Sequence, residues 1–169
     1  RDVYKRQEEG QRELVDFVRE AAAFAEEHRA EDMISFCTSA IRESANGAAV
    51  LARVQAETGV HLSELTGDQE SAMTYFAVRR WQGWGAGSIL NFDIGGGSFE
   101  IAYGQDELPS HALSLPLGAG RMHSRFLSAD QPSEDDIAAL RHLARKEIGR
   151  IAGDVNRCLL YTSLSGLAR

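Results

Sequence analysis

The chain contains few cysteines and no long apolar segment. Two of its 169 residues are cysteine, Cys37 and Cys158, and their wide separation does not match the spacing of metal-binding cysteines. The sequence therefore predicts free thiols, which are usual in a reducing cytoplasm, rather than a disulfide framework. No apolar run approaches the roughly 20 residues that a membrane-spanning helix needs, and no secretory signal pattern is present. We accordingly expect a cytoplasmic protein without a membrane partner.

Basic residues are outnumbered by acidic ones. The sequence has 18 lysines and arginines against 25 aspartates and glutamates, which gives a net charge of −7. This balance argues against nucleic acid as a partner, although a local basic pocket for an anionic substrate is compatible with it. The phosphate loop G-x-x-x-x-G-K-[ST] and the dinucleotide fingerprint G-x-G-x-x-G are both absent. Their absence disfavours P-loop and Rossmann-type functions.

Apolar residues are present in the amount and order that an α/β fold requires. The 43% hydrophobic content is sufficient for the core of one domain or of two small ones. The nearly continuous apolar segment 32–38 is typical of a strand buried on both faces, as in a parallel sheet. The last three predicted strands have connections short enough for an antiparallel meander. Hydrophobic periodicity predicts helices over 8–29, 38–45, 48–57, 69–81, 117–127 and 132–154, and strands over 32–38, 60–65, 88–93, 98–103 and 108–115.

Composition changes at three places along the chain. The glycine-rich segment 83–87 is interpreted as a linker between an earlier unit, 8–82, and a later one, 88–155. The two ends, 1–7 and 156–169, resemble translated sequencing-adapter ends, so we interpret them as artefacts that border an internal fragment of a longer protein. A natural, mobile terminus is the alternative at each end.

The segment from Asp93 to Glu100, which reads D-I-G-G-G-S-F-E, carries the strongest chemical signal. Two strand-like stretches flank a turn in which Gly95, Gly96 and Gly97 have no side chains, so backbone N–H groups can approach an anion closely. Ser98 can donate to a phosphate oxygen. Asp93 can bind a metal ion directly or through water, and Glu100 lies on the strand face that Ser98 shares.

An ordinary hairpin is the alternative interpretation of this turn. There the glycines would only supply positive φ angles, but a two-residue hairpin needs one or two glycines rather than three followed by a hydroxyl. We therefore favour a phosphate-binding turn. On its own, Glu100 would be interpreted as a solvent-facing carboxylate of a strand.

Three further residues are candidates for phosphate chemistry. Arg42 lies in the first turn of a predicted helix and can direct its guanidinium to an anion, although a surface arginine on a capped helix is the simpler interpretation. Glu70 is either a carboxylate stabilised by the dipole of its helix or a general base that activates water. Arg121 either contacts phosphate across a cleft or covers the surface.

Taken together, these segments resemble the family of exopolyphosphatases and guanosine pentaphosphate phosphatases (Ppx/GppA), and the resemblance covers about 31–151. The alanine- and arginine-rich composition is similar to that of actinobacterial members. The matching stretches are Cys37-Thr38-Ser39-Ala40-Ile41-Arg42, Thr66-Gly67-Asp68-Gln69-Glu70-Ser71-Ala72, Phe92-Asp93-Ile94-Gly95-Gly96-Gly97-Ser98-Phe99-Glu100 and Leu115-Pro116-Leu117-Gly118-Ala119-Gly120-Arg121.

The resemblance implies part of an actin-like ATPase (ribonuclease H-like) fold, with 8–82 as the end of a first lobe and 88–155 as the start of a second. It implies Mg²⁺-dependent hydrolysis of the terminal phosphoanhydride of polyphosphate, or of the 5′-phosphate of guanosine pentaphosphate. It also allows a homodimeric parent protein. By position, Glu70 matches the catalytic glutamate, Asp93 and Glu100 match the metal ligands, and Arg42 and the Gly95–Ser98 turn match the phosphate-binding groups.

The sequence departs from the family pattern in two ways. The glutamate motif S-G-x-E-E-A-R is replaced by Thr66–Ala72, which has Gln69 as the neighbour of Glu70 and lacks the final arginine. The first-lobe phosphate turn of the type D-x-G-S-N-S is absent, as is the part of the family fold beyond the last helix. We therefore expect little activity from the 169-residue chain alone. An actin-like sugar or acetate kinase and a non-catalytic sensor of polyphosphate or guanosine pentaphosphate are the alternative functions.

Overall fold

A computed structural model of the chain describes residues 8–128 and 131–165. By packing, the chain divides into two compact units between Thr66 and Gly67. The first unit contains α1 (Glu8–Glu27), β1 (Phe36–Cys37), α2 (Ser39–Arg42), α3 (Gly47–Thr58) and β2 (Ser63–Glu64). The second contains α4 (Gly67–Gln82), a 3-10 turn (Trp84–Ala86), β3 (Ile89–Ile94), β4 (Phe99–Gly104), β5 (His111–Leu115), α5 (Ala119–Phe126) and α6 (Glu134–Ser165).

The first unit packs α1 and α3 around a short parallel pair of strands. Val15, Val18 and Val54 form one buried cluster between the helices, because the apolar residues of α1 recur at helical spacing. Strand β1 pairs with β2 in parallel, with Phe36 opposite Ser63. The predicted parallel pairing is therefore confirmed.

The predicted burial of segment 32–38 on both faces is wrong for this chain. The side chain of Ile34 is 82% exposed and that of Phe36 is 42% exposed. Within the described residues, β1 pairs on one side only, with β2. A strand is buried on both faces only inside a covered sheet, which explains the exposure of these side chains. The strand is also shorter than predicted and spans two residues, Phe36–Cys37.

The second unit is a three-stranded antiparallel meander with helices on its two faces. The strand order is β3-β4-β5, as the sequence predicts. Helix α4 covers the face that carries Asp93, and its Thr74 reaches that side chain. On the other face, α5 and α6 pack over Ile101 and Leu115. The register of β3 and β4 places Asp93 opposite Glu100.

The glycine-rich segment 83–87 does not separate the two compact units. The division by packing lies before α4, and Arg79 of α4 donates to the carbonyl oxygen of Gly87 (2.7 Å), which holds the segment against the helix. Helix α4 therefore packs with the later unit, whereas the sequence assigned 8–82 to the earlier one. This assignment depends on tertiary contacts, because buried polar side chains of α4 donate to carbonyl oxygens of β4, those of Ile101 and Gly104.

The last helix is longer than predicted. Helix α6 continues to Ser165 instead of ending near residue 154, since neither glycine nor proline follows Gly153 before Gly166. Residues 156–165, interpreted from sequence as part of an artefactual end, are therefore helical. Residues 1–7 and 166–169 lie outside the described part of the chain. None of the described helices is long and apolar enough to cross a membrane.

Candidate active site

The glycine turn between β3 and β4 is not built on positive φ angles. In the described part of the chain, the glycines with positive φ are Gly59, Gly83 and Gly87. The turn closes through a hydrogen bond from the Gly95 N–H to the carbonyl oxygen of Ser98 (3.0 Å). The alternative of an ordinary hairpin that needs glycine for its φ angles is therefore not what the structure shows.

The start of α5 donates hydrogen bonds to the glycine turn. The backbone N–H groups of Ala119 and Arg121 donate to the carbonyl oxygens of Gly95 (2.8 Å) and Gly96 (2.9 Å). The N–H of Gly118 donates to the carbonyl oxygen of Gly97 (3.3 Å). All three glycine carbonyls thus point toward α5, and the helix N-terminus is occupied by protein acceptors rather than open to an anion.

The donors of the same turn remain available. Among the described residues, the backbone N–H groups of Gly96, Gly97 and Ser98 donate to no backbone carbonyl. A Cβ placed on Gly96 would meet no atom within 4 Å, so open space lies beside this residue. A row of N–H donors without backbone acceptors, next to open space at Gly96, is the arrangement that binds an anion.

Gly118 is a functional residue that the sequence reasoning did not single out. A Cβ at this position would lie 2.3 Å from the carbonyl carbon of Gly97 and 2.3 Å from the nitrogen of Ser98. Such distances exclude any side chain, so Gly118 is what allows α5 to approach the turn. The available signal was the pair Gly118-x-Gly120 at the start of a helix.

Asp93 and Glu100 share one face of the sheet at the end of the turn. They are directly opposite in the β3–β4 ladder, a position in which Cβ atoms are typically about 4.5–5.5 Å apart. Glu100 is not the solvent-facing carboxylate of its simpler interpretation, because it is 1% exposed. Its Oε1 accepts a hydrogen bond from Ser114 Oγ (2.9 Å). Ser114 was also missed from sequence, although alternation along β5 places it on this face.

Ser98 supplies a hydroxyl with no protein partner. Its side chain is 3% exposed, and its Oγ is buried without a hydrogen bond among the described residues. Leaving a buried hydroxyl unsatisfied costs roughly 1–3 kcal/mol. A ligand that accepts from Ser98 would remove this cost.

Glu70 lies in the first turn of α4. Thr74 follows one turn later, on the same side of the helix, and its Oγ1 lies 3.4 Å from Asp93 Oδ2. The structure therefore places Glu70 about one helical turn, or roughly 5–6 Å along the helix, from the residue that contacts Asp93. Both carboxylates belong to the second unit.

The two arginines of the sequence prediction contact backbone carbonyls. Arg121 Nε donates to the carbonyl oxygen of Gly97 (2.7 Å), so it braces the turn directly. Arg42 belongs to the first unit, where it donates to the carbonyl oxygen of Leu65 and links α2 to the end of β2. The roles of both arginines in phosphate binding stay predictions.

Comparison with known proteins decides the family. Residues 5–168 match the model of the Ppx/GppA phosphatase family. The chain belongs to the Ppx/GppA family. Exopolyphosphatase 1 of Mycobacterium tuberculosis is 48% identical over 132 residues, which cover 78% of this chain and 38% of that protein. The guanosine-5′-triphosphate,3′-diphosphate pyrophosphatase of Pseudoalteromonas atlantica is 30% identical over 115 residues, covering 68% of this chain and 23% of that protein.

Solved structures agree on the fold. A Ppx/GppA family member from Aquifex aeolicus matches with a TM-score of 0.70 and 26% identity, over 89% of this chain and 49% of that one. An exopolyphosphatase from Cytophaga hutchinsonii matches with a TM-score of 0.76 over 92% of this chain and 50% of that one, at 23% identity. The predicted α/β, actin-like fold is confirmed. The chain spans 38% of the mycobacterial relative and about half of each solved structure.

Proposed function

We propose that this chain is part of a cytoplasmic phosphohydrolase that removes the terminal phosphate of inorganic polyphosphate, the 5′-phosphate of guanosine pentaphosphate, or both. The observation that carries the proposal is the turn 95–98. Its three glycine carbonyls accept hydrogen bonds from the start of α5, whereas the N–H groups of Gly96, Gly97 and Ser98 donate to no backbone carbonyl, and the Ser98 hydroxyl has no partner among the described residues. The names of the mycobacterial and Pseudoalteromonas relatives support the two substrate classes.

In phosphoryl transfer, the candidate residues have two kinds of role, binding of phosphate and transfer of a proton. The N–H groups of Gly96 and Gly97 and the hydroxyl of Ser98 bind and orient phosphate oxygens. Arg121 holds the turn in shape through Gly97. Arg42, in the first unit, is a further phosphate-binding candidate. Glu70 orients the attacking water and accepts its proton. This division suits phosphoryl transfer, which depends on positioning and charge stabilisation more than on covalent chemistry.

The donor set fits a magnesium ion. Asp93 and Glu100 offer carboxylates on one face of the sheet, beside the open donors of the turn. Within residues 8–128 and 131–165, no three His, Cys, Asp or Glu side chains converge. Two carboxylates suffice for Mg²⁺ when water and substrate phosphate complete its octahedron. When bound, the ion would neutralise charge on the phosphate, and Asp93 and Glu100 would hold it.

Phosphate release by the full-length protein that contains this chain tests the proposal. With polyphosphate and Mg²⁺ we expect turnover by the wild type, and a loss of about 10²–10⁴-fold in the Glu70→Gln variant with a modest effect on substrate binding. The 169-residue chain alone is expected to release little phosphate. Transfer of phosphate from ATP to a sugar or to acetate, with no hydrolysis of polyphosphate or guanosine pentaphosphate, would refute the proposal in favour of a kinase.

A further inference from the structure

Helix α4 is held on the sheet by hydrogen bonds from buried polar side chains. Ser71 Oγ donates to the carbonyl oxygen of Ile101 (3.1 Å), and Tyr75 Oη donates to the carbonyl oxygen of Asp106 (3.2 Å). Arg79 Nε donates to the same Asp106 oxygen (3.2 Å). Ser71 and Tyr75 are 0% exposed and Arg79 is 1% exposed. Because each bond requires one particular acceptor, these contacts fix the helix in register along the strands.

The bond from Ser71 lies beside the candidate active-site carboxylates. Ser71 directly follows Glu70, and Ile101 directly follows Glu100. The 3.1 Å hydrogen bond therefore joins the side chain of the residue after the candidate base to the backbone of the residue after a candidate metal ligand. Since Ser71 is fully buried, water cannot replace its hydroxyl.

The other anchors of α4 do not substitute for this contact. Thr74 reaches Asp93 over a longer distance of 3.4 Å, and such long contacts are weak. Tyr75 and Arg79 bind near the opposite end of the strands, at Asp106. The hydroxyl of Ser71 is thus the fully buried hydrogen-bonding link at the end of α4 that carries Glu70.

We propose that Ser71 is a positioning residue that fixes Glu70 relative to Asp93 and Glu100. Ser71 does not touch the substrate and acts only through Glu70. The inference rests on the phosphohydrolase function proposed above. A catalytic group that is displaced by about 1 Å can lose about 100-fold in rate while substrate binding is maintained.

Steady-state phosphate release by the full-length protein tests this role. We expect Ser71→Ala to lower kcat about 10- to 100-fold with little change in KM. Ser71→Cys, which keeps a weak donor of similar size, should give an intermediate kcat. The matched control is Ser124→Ala, because among the described residues Ser124 donates only to the carbonyl oxygen of Gly120 within its own helix, and its kcat should equal that of the wild type.

Three results would overturn the role of Ser71. They are a wild-type kcat in Ser71→Ala, an effect on KM alone, and an equal loss of kcat in Ser124→Ala. If the wild type releases no phosphate, the proposed function fails, and amide hydrogen exchange of the full-length protein decides the anchoring. Exchange about tenfold faster over 71–75 in Ser71→Ala than in the wild type supports it, and equal exchange refutes it.

Discussion

The two segments that the sequence selects as anion sites are built very differently. In the turn 95–98, α5 donates to the three glycine carbonyl oxygens, the N–H groups of 96–98 donate to no backbone carbonyl, and the buried Ser98 hydroxyl has no partner among the described residues. In the segment 38–42, Thr38 makes no side-chain cap, α2 is only four residues long, and Arg42 is hydrogen-bonded to Leu65. The turn is assembled within its own unit, whereas the segment serves first to connect β1, α2 and β2.

The difference shows which features identify a phosphate site in a structure. A helix N-terminus or an arginine has many structural uses, and both are put to such uses in the segment 38–42. A turn whose carbonyl oxygens all accept hydrogen bonds, while its N–H groups donate none to the backbone, is better suited to binding an anion than to stabilising the fold. Substitutions in and around the turn can separate the contacts that stabilise the fold from those that bind phosphate.

Replacement of Gly118 by alanine should have the largest effect on the fold. The new Cβ would lie 2.3 Å from backbone atoms of Gly97 and Ser98, which cannot move aside as a flexible side chain can. We expect the free energy of unfolding to fall by about 3 kcal/mol, measured by urea unfolding of the 169-residue chain. Gly149→Ala, in the open on α6, is the control and should be neutral or stabilising. A Gly118→Ala variant as stable as the wild type would contradict the close approach of α5.

Gly96→Ala should separate binding from folding. Its Cβ would enter open space, so stability should change by less than about 0.5 kcal/mol. The same methyl group would stand beside the exposed donors, and displacement of the phosphate should lower phosphate release by the full-length protein about 100-fold. Normal turnover in a folded Gly96→Ala protein would show that the space beside Gly96 is not used by the substrate.

Ser98→Ala should weaken substrate binding without harming the fold. The Ser98 hydroxyl is buried and has no partner among the described residues, so its removal leaves no protein acceptor unpaired. A hydrogen bond to a charged group contributes about 1.5–3 kcal/mol, which predicts at least about a tenfold loss of affinity for polyphosphate. Isothermal titration calorimetry with the full-length protein would measure it. Unchanged affinity, or a marked loss of stability, would assign Ser98 to the fold instead.

The smallest expected effect concerns the other unit. Burial raises the pKa of the Cys37 thiol above its ordinary value of 9.0. The thiol therefore contributes stability that is fully present below pH 9.0 and is lost as the pH rises through the higher folded-state pKa. Urea midpoints from neutral pH to about pH 10 should fall more steeply in the wild type than in Cys37→Ala. Parallel pH profiles would contradict the burial of this thiol.

Local pattern was enough to predict the strands of the meander and most helices. The alternation along 88–93 and 98–103 gives β3 and β4 to within one residue, because alternating residues face opposite sides of a sheet. Segment 32–38 failed because continuous apolarity predicts burial on both faces, whereas β1 has a pairing partner on one side only among the described residues. The sequence assigned α4 to the earlier unit, because two of the acceptors for Arg79, the carbonyl oxygens of Gly104 and Asp106, lie 25 and 27 residues away.

The candidate site was predictable only in its central residues. The geometry of the segment from Asp93 to Glu100 follows from its sequence, because strand register across a tight turn places the two carboxylate residues opposite each other. Gly118, Ser114 and Ser71 could not be identified from sequence, because each matters through one contact with a distant element. The glycine pair at 118 and 120 and the alternation along β5 are visible in the sequence, but neither shows which distant element is contacted.

Amide chemical shifts of the chain test the central claim most directly. Mg²⁺ and tripolyphosphate would be titrated into the ¹⁵N-labelled 169-residue chain. If the turn binds phosphate, the largest shifts will fall on the N–H groups of Gly96, Gly97 and Ser98, and the Gly96→Ala variant will lose them. Saturable shifts elsewhere in the chain, with these three amides unmoved, would contradict the assignment of the turn as the phosphate site.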